Sequence, residues 1–410
     1  MAVIRPFRAV RPTPEVAHLV ASVPYDVLNK DEAADLAKGN PLSFLRVTRS
    51  EIECKNKVDV YSSTVYEKAK DNFERLKNEA PLIQEKKPHL YVYQLIMGSQ
   101  TQTGIAATFS VDDYNNDVIK KHEKTRKVKE DDRTNHIITT NAQTGPVFLT
   151  YHGTESVNQI VEDTKKEKPL YDFTSADGIR HSVWSMSIDN STKVASEISK
   201  VPNLYIADGH HRAASASRAQ IEKSKMNPAH AGNEEYNFFL AVLFPAEQLA
   251  ILPYNRVVLD LHDITKDELF NKIQENFRIV KADSPSPAQP RTFCFYYDNE
   301  WYEITPNENV KPGETLGDNL DVSILQNYLL HPMFGIGDPR TDNNIDFIGG
   351  IRGTTELEKL VNEGKAQIAF SLYPVSIEDL IKISDAGEIM PPKSTWFEPK
   401  LRDGLLIHTI

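Results

Sequence analysis

The chain has 410 residues, 26% of them charged, and a formal net charge of −11 at pH 7, which argues against nucleic acid as the default partner. Hydrophobic residues make up 40%, the profile of a globular protein with room for two or three domains. No run approaches the ~20 apolar residues of a membrane span, the N-terminal "MAVIRPFRAVRPTPE" lacks an apolar signal core, and Cys54 and Cys294 form no CxxC pair. The expectation is therefore a cytoplasmic protein with no membrane association and no thiolate metal site.

In chain order, "VIRPFRAV" reads as a short strand interrupted by Pro6 and Pro12. "NKDEAADLAKGN" reads as a helix with Asn29 as N-cap, Glu32 three residues on, and Gly39 beyond its end. "VYSSTVYEKAKDNFERLKNE" has helical periodicity, and "PHLYVYQLIMGSQTQTGIAATFSV" reads as a β-hairpin. "PVFLTYHG", "NFFLAVLFP" and "QLAILPYNRVVLDL" read as strands. "KADSPSPAQPR", residues 281–291, reads as a loop or a domain seam. Beyond it come a hairpin with Asp-Asn at its turn, a helix "DVSILQNYLLHPMF" stopped by Pro332, then helix, strand and helix, and a stiff loop "PPKSTWFEPK". Strands and helices mix without regular alternation, which predicts an α+β class with mixed sheets.

Four stretches carry candidate chemistry. "LYIADGHHRAAS", Leu204–Ser215, runs from an apolar strand through a glycine turn into a helix of small residues. A helix N-terminus offers unpaired N–H groups and a favourable dipole to an anion. Gly209 permits close approach, Arg212 brings a planar fork, and His210 and His211 add donors. Asp208 suits Mg²⁺ or the orientation of a histidine. The plainer reading is a helix capped by Asp208 with surface histidines. "IKKHEKTRKVKEDDRTNH", Ile119–His136, is a local excess of positive charge. It reads either as a solvated helix with i,i+4 pairs or as a basic lid with His122 and Glu123 pointing inward and Lys129 and Arg133 on phosphate. "MPPKSTWFEPKLRDG" sets Lys393, Ser394, Thr395 and Trp396 between prolines, as a pocket wall or as a structural strap. "SVPYDVLNKDE" presents Asp26 at a turn, and "DPRTDNNIDFIGG" holds Asp338, Arg340 and Asp342 as an ion network or a pocket lining.

Together, "PYDVLNKDEA", "NPLSFLRV", "HEKTRKVKEDDR", "LYIADGHHRAA", "LPYNRVV", "IDFIGGIRG" and "IMPPKSTWFEPKLRDGLLIH" resemble the bacterial family of domain of unknown function 1015 over almost the full length. "IADGHHRAA" and "PPKSTWF" also resemble segments of the archaeal ADP-dependent free-serine kinase. That resemblance implies a ParB/sulfiredoxin-like core, shared with chromosome-partition CTPases and sulfiredoxin. It implies a core over residues 1–280, with a charged insertion around 55–200, and a C-terminal α+β domain over 281–410 whose last loop closes the pocket. It implies nucleotide phosphates, of ADP or ATP, at Gly209, His210, His211, Arg212, Lys129 and Arg133, with Mg²⁺ on Asp208. Glu15, Glu123 and Asp208 are the candidate catalytic carboxylates, with Glu32 a second candidate for the base. His122, Lys393, Ser394, Thr395 and Trp396 are the candidate substrate contacts, for L-serine. The same core also hosts non-catalytic nucleotide switches that act on protein partners, and that alternative stands beside the kinase.

Overall fold

The computed structural model describes residues 2–54 and 58–410. The chain forms two compact units, Met1–Leu249 with Pro399–Ile410, and Ala250–Glu398.

The first unit is built on a nine-stranded sheet. Its strands are β1 (Ile4–Arg5), β2 (Tyr91–Met97), β3 (Gln100–Ser110), β4 (Ile119–Lys120), β5 (Val147–Tyr151), β6 (Tyr171–Thr174), β7 (Arg180–Ser185), β8 (Leu204–Asp208) and β9 (Phe238–Pro245). The order is β4-β8-β5-β9-β3-β2-β7-β6, with β1 paired to β3. The sheet is mixed: β9 runs parallel to β5 and antiparallel to β3, and β8 runs antiparallel to β5 and parallel to β4. The continuous apolar run of β9 has the physical cause expected of a central strand, since every residue from Phe238 to Pro245 is buried. The "MGSQ" turn joins β2 to β3 with Met97 opposite Gln100, as the hairpin pattern predicts.

The longer helices of this unit are α1 (Ser63–Glu79), α2 (Lys127–Thr140), α3 (Glu155–Thr164), α4 (Ile188–Ile198) and α5 (His210–Met226). The short helix Lys30–Ala37 carries the predicted capping box between Asn29 and Glu32. In α5 the string Ala213, Ala214, Ser215, Ala216 and Ser217 is buried. Its lack of bulk lets the helix lie close to α2, where Ser215 Oγ donates to Glu130 O at 3.2 Å. A second apolar cluster joins Val10, Val20, Phe44, Val47, Phe73, Leu76 and Ala142 to Ile407 of the last segment. Ile407 and Val10 exchange backbone hydrogen bonds at 2.9 Å, so the last segment is stitched to the first fifty residues.

The second unit holds a six-stranded antiparallel sheet of β10 (Tyr254–Val258), β11 (Phe277–Lys281), β12 (Phe293–Tyr297), β13 (Glu300–Pro306), β14 (Ile345–Gly349) and β15 (Ile368–Leu372). Its order is β11-β13-β12-β15-β10-β14. Asp298 and Asn299 turn the β12–β13 hairpin with φ of 53° and 61°. Both are in the left-handed region that short polar side chains tolerate.

Two expectations are corrected. The Pro-rich run at 281–291 is no seam: it connects β11 to β12 inside the second unit, and the chain divides after Leu249 and after Glu398. Pro332 does not stop its helix either. Gln326–Leu330 widens into a π-turn, Pro332 lies in the first turn of the helical segment His331–Phe334, and the helix ends at Gly335 with φ 66°. A proline is tolerated where no i−4 bond is asked of its nitrogen.

Phe44 is fully buried, 6.3 Å edge-on to Phe73. Phe44→Ala is expected to destabilise the protein by about 3–5 kcal/mol in urea unfolding; an unchanged midpoint would contradict the packing described.

Candidate functional site

β8 ends at Asp208, Gly209 turns the chain with φ 93°, and α5 begins at His210. No side chain caps this N-terminus. Glycine is required twice here. The positive φ strains any L side chain, and a Cβ at 209 would lie 3.1 Å from Arg212 Cζ.

Arg212 does not reach for solvent. Its residue is 8% exposed, and its guanidinium turns back under the turn. Nη1 donates to Pro146 O. Nη2 lies 3.5 Å from Asp26 Oδ2 and 3.6 Å from Asp208 Oδ2. Lys400 Nζ, from the last segment, lies 3.2 Å from the same Asp208 oxygen. Burial opposes ionisation of Asp208, but Lys400 and Arg212 outweigh it and hold the carboxyl well below its ordinary range. Burial likewise opposes the charge on Arg212, and Asp26 and Asp208 restore it.

The basic stretch does come to this turn. His210 Nδ1 is 3.6 Å from Glu123 Oε2, and the His122 and His210 rings meet edge-on at 4.4 Å. The backbone N–H of His122 donates to His210 Nε2 at 3.4 Å, and that of Arg126 donates to His211 Nε2 at 3.0 Å. Both imidazoles therefore act as acceptors through Nε2 and clasp the loop 121–126. Through Nε2 neither ring donates to a phosphate; the N–H each keeps as a neutral ring is on Nδ1, which in His210 lies 3.6 Å from Glu123. Burial pushes His122 down to about 4 and His210 well below its ordinary value, and His211 is also lowered, first by burial. Neutral rings are what acceptors require.

The remaining expected residues separate into groups. Lys129 is half-buried, with its ammonium 5.6 Å from the Tyr61 ring centroid, and near enough to His211 to help lower its pKa. Arg133 is paired with Asp132 at 2.9 Å and lies over the Tyr25 ring at 4.2 Å. It supports the floor of the site rather than offering itself to a phosphate. Glu15 is exposed, and its carboxylate is engaged by its own backbone N–H and by Thr13. Its contacts are local to that turn, and none of them reaches the cluster. Glu32 serves the capping box. Lys393, Ser394, Thr395 and Trp396 lie in the second unit. There Lys393 Nζ is 5.3 Å from the Tyr254 ring, Ser394 Oγ donates to Pro391 O, and Trp396 packs edge-on to Tyr254.

The tail contributes two further residues: Lys400, the second lysine of the proline-stiffened stretch, and Asp403, which carries no motif signal of its own. Asp403 is 1% exposed. Burial pushes its carboxyl up to about 7, against the opposing pull of Arg212, with Asp26 adding to the rise. Asp26, flagged only as a weak turn signal, is the second carboxylate on Arg212. Among the described residues, no group of three or more His, Cys, Asp or Glu side chains is placed to hold a metal ion.

Sheet and turn define a mixed α+β protein that delivers a charged strand end to an uncapped helix N-terminus. The profile of the family described as a protein of unknown function (DUF1015) matches residues 4–323, and the chain belongs to that family. Among solved structures, a free serine kinase in complex with AMP is similar at 12% identity, over 74% of this chain and 91% of that chain, with a TM-score of 0.38. A free serine kinase mutant in complex with ADP is similar at 12% identity, over 74% and 92%, with a TM-score of 0.36. SbnI with a C-terminal truncation, from Staphylococcus aureus, is similar at 10% identity, over 73% and 85%, with a TM-score of 0.35. No curated protein matches. No helix of the described residues is long and apolar enough to cross a membrane.

The lowered histidine sets a pH dependence. Below the ordinary value of 6.5 the unfolded chain protonates His122, while the folded chain resists down to about 4. Its contribution is complete above pH 6.5 and is lost as pH falls toward about 4. His122→Gln is expected to flatten the acid limb of a stability-against-pH curve by up to about 1.4 kcal/mol per pH unit. An unchanged limb would refute the assignment.

Proposed function

We propose that the chain is a phosphotransferase acting on a small hydroxyl-bearing molecule, of the free L-serine kinase type, with nucleotide phosphates gathered at Gly209–Arg212. The observation that carries this reading is the uncapped N-terminus of a 17-residue helix, opened by a positive-φ glycine and bordered by the basic loop that His210 and His211 clasp. Helix N–H groups and dipole favour phosphate there. Lys129 adds a half-buried cation whose field reaches His211. Phosphoryl transfer asks mainly for positioning and charge neutralisation, which such a turn provides.

Mg²⁺ does not fit Asp208 as it stands. Oδ1 accepts from Gly209 N at 3.0 Å, and Oδ2 faces both Lys400 and Arg212. Asp208 is therefore read as the group that positions these two cations, and no step is drawn through a metal. ADP or ATP is the donor this reading implies, and L-serine is the acceptor.

The test is incubation of the full chain with L-serine, ADP or ATP and Mg²⁺, with phosphoserine read by mass spectrometry, alongside ADP binding by calorimetry. Lys129→Ala is expected to keep the fold and weaken ADP binding roughly 3- to 10-fold, about 0.7–1.4 kcal/mol. ADP binding without transfer to any acceptor would favour the non-catalytic switch. Absence of nucleotide binding would reject both.

A further inference from the structure

Inside the first unit lies a cavity of about 30 Å³, lined among others by Tyr25, Arg133, His136, Gly145, Arg212 and Asp403. That is room for about two water-sized groups. Two of its lining side chains carry polar atoms without a hydrogen-bond partner or ion pair: Asp403 Oδ1 and Nε of Arg212, whose Nη2 already faces Asp26 and Asp208. Both residues are more than nine-tenths buried. Native interiors satisfy nearly all such atoms, so an acceptor and a donor left over on two residues lining one cavity ask for a polar occupant. Gly145 adds a second sign, because a Cβ at that position would collide with Asp403 Oδ1. Asp403 is also held firmly. Its backbone exchanges hydrogen bonds with Ser22 at 2.8 and 3.1 Å, and the next residue, Gly404, turns with φ 85° against Phe44.

We propose that this cavity receives the primary hydroxyl of the phosphoryl acceptor and that Asp403 Oδ1 takes its proton. The proposal rests on the phosphotransferase reading above. A hydroxymethyl group has two heavy atoms and matches two water-sized positions. As the acceptor oxygen bonds to the transferred phosphorus, its proton passes to Asp403. The bond from that phosphorus to the nucleotide breaks, and its electron pair stays on the departing nucleotide phosphate. Arg212, which lines the cavity, carries the unpartnered Nε–H, a donor for the reacting oxygen. The charged groups that act on Asp403 are Arg212, Arg133 and Arg402, which favour its ionised form, and Asp26, which opposes it. His136 on the cavity wall stays neutral, pushed down to about 4 first by burial and bonded to Val47 O at 3.0 Å. Burial outweighs the arginines, so the carboxyl titrates near 7, where a general base works well. Glu15 and Glu123 lack this setting: the first is engaged in its own turn and the second faces His210.

The isosteric variant Asp403→Asn separates the possibilities. Phosphoserine formation by the unaltered chain is expected to rise through one ionisation near pH 7 and then level off. D403N is expected to lose at least ~100-fold in rate and to lose that ionisation, while binding ADP within about twofold of the original. Thermal midpoints give a readout free of turnover. L-serine, and not L-alanine, is expected to raise the midpoint of the unaltered chain and to leave that of D403N unmoved. A D403N protein that keeps the original rate and pH profile, or responds to L-serine as the original does, overturns the proposal. If no phosphoserine forms but the L-serine shift is present and vanishes in D403N, the hydroxyl site stands and the phosphotransferase reading falls. If L-serine neither shifts the midpoint nor is phosphorylated, the hydroxyl site falls.

Discussion

Arg212 concentrates the constraint on which the site depends. Its guanidinium is buried, and burying a charge is tolerable only when opposite charge and hydrogen-bond acceptors surround it. These come from distant parts of the chain: Asp26 from the N-terminal segment, Pro146 O from the approach to β5, and Asp208 from the end of β8. Asp403 from the last segment acts on the same group through its field. Each of these segments has to be in place before the arginine is stable, so one cation fixes the relative position of strand end, turn and tail. Removing Asp26 or Asp208 leaves the buried arginine with one adjacent carboxylate where it had two, which ties the N-terminal segment and the strand end together energetically.

Around that arginine the ionisable groups divide by task. Asp208 is pinned as a carboxylate by Lys400 and Arg212. The histidines are kept neutral by burial, and their Nε2 atoms take backbone N–H groups of the loop 121–126. Asp403, with the same side chain as Asp208, sits where burial prevails over its cationic neighbours. Two aspartates within one cluster thus have opposite pKa directions, a separation that depends on local geometry and not on residue type.

Much of the fold was legible from local signals. The capping box of Asn29 and Glu32, the Asp298–Asn299 hairpin and the unbroken apolar run of β9 each follow from short-range chemistry, and each stands where the sequence places it. The turn at Asp208–Arg212 and the approach of the basic stretch were legible for the same reason, because helix termini and charge balance are readable in a short window. What the sequence concealed is nonlocal. Nothing in "KLRDG" announces that Lys400 will meet Asp208 across 192 positions, or that Asp403 will be buried beside Arg212's field. The Nε2 partners of the histidines were hidden for a different reason. A residue type that can donate or accept shows which it does only once its neighbour is known, and here the neighbours are main-chain amides.

The division of the chain has a consequence for the order in which the protein comes together. Residues 399–410 belong to the first unit, yet they follow the whole of the second in sequence. During synthesis the nine-stranded sheet can form early, but Lys400 and Asp403 arrive only after Ala250–Glu398 has emerged. Until then Asp208 lacks one of its two cations, and the Val10–Ile407 bridge has no partner strand. Closing so long a loop costs little more entropy than closing one half its length, about 0.6 kcal/mol per doubling. The delay is therefore one of timing more than of energy. Synthesis supplies Lys400 and Asp403 to the site only after the whole of the second unit has been made.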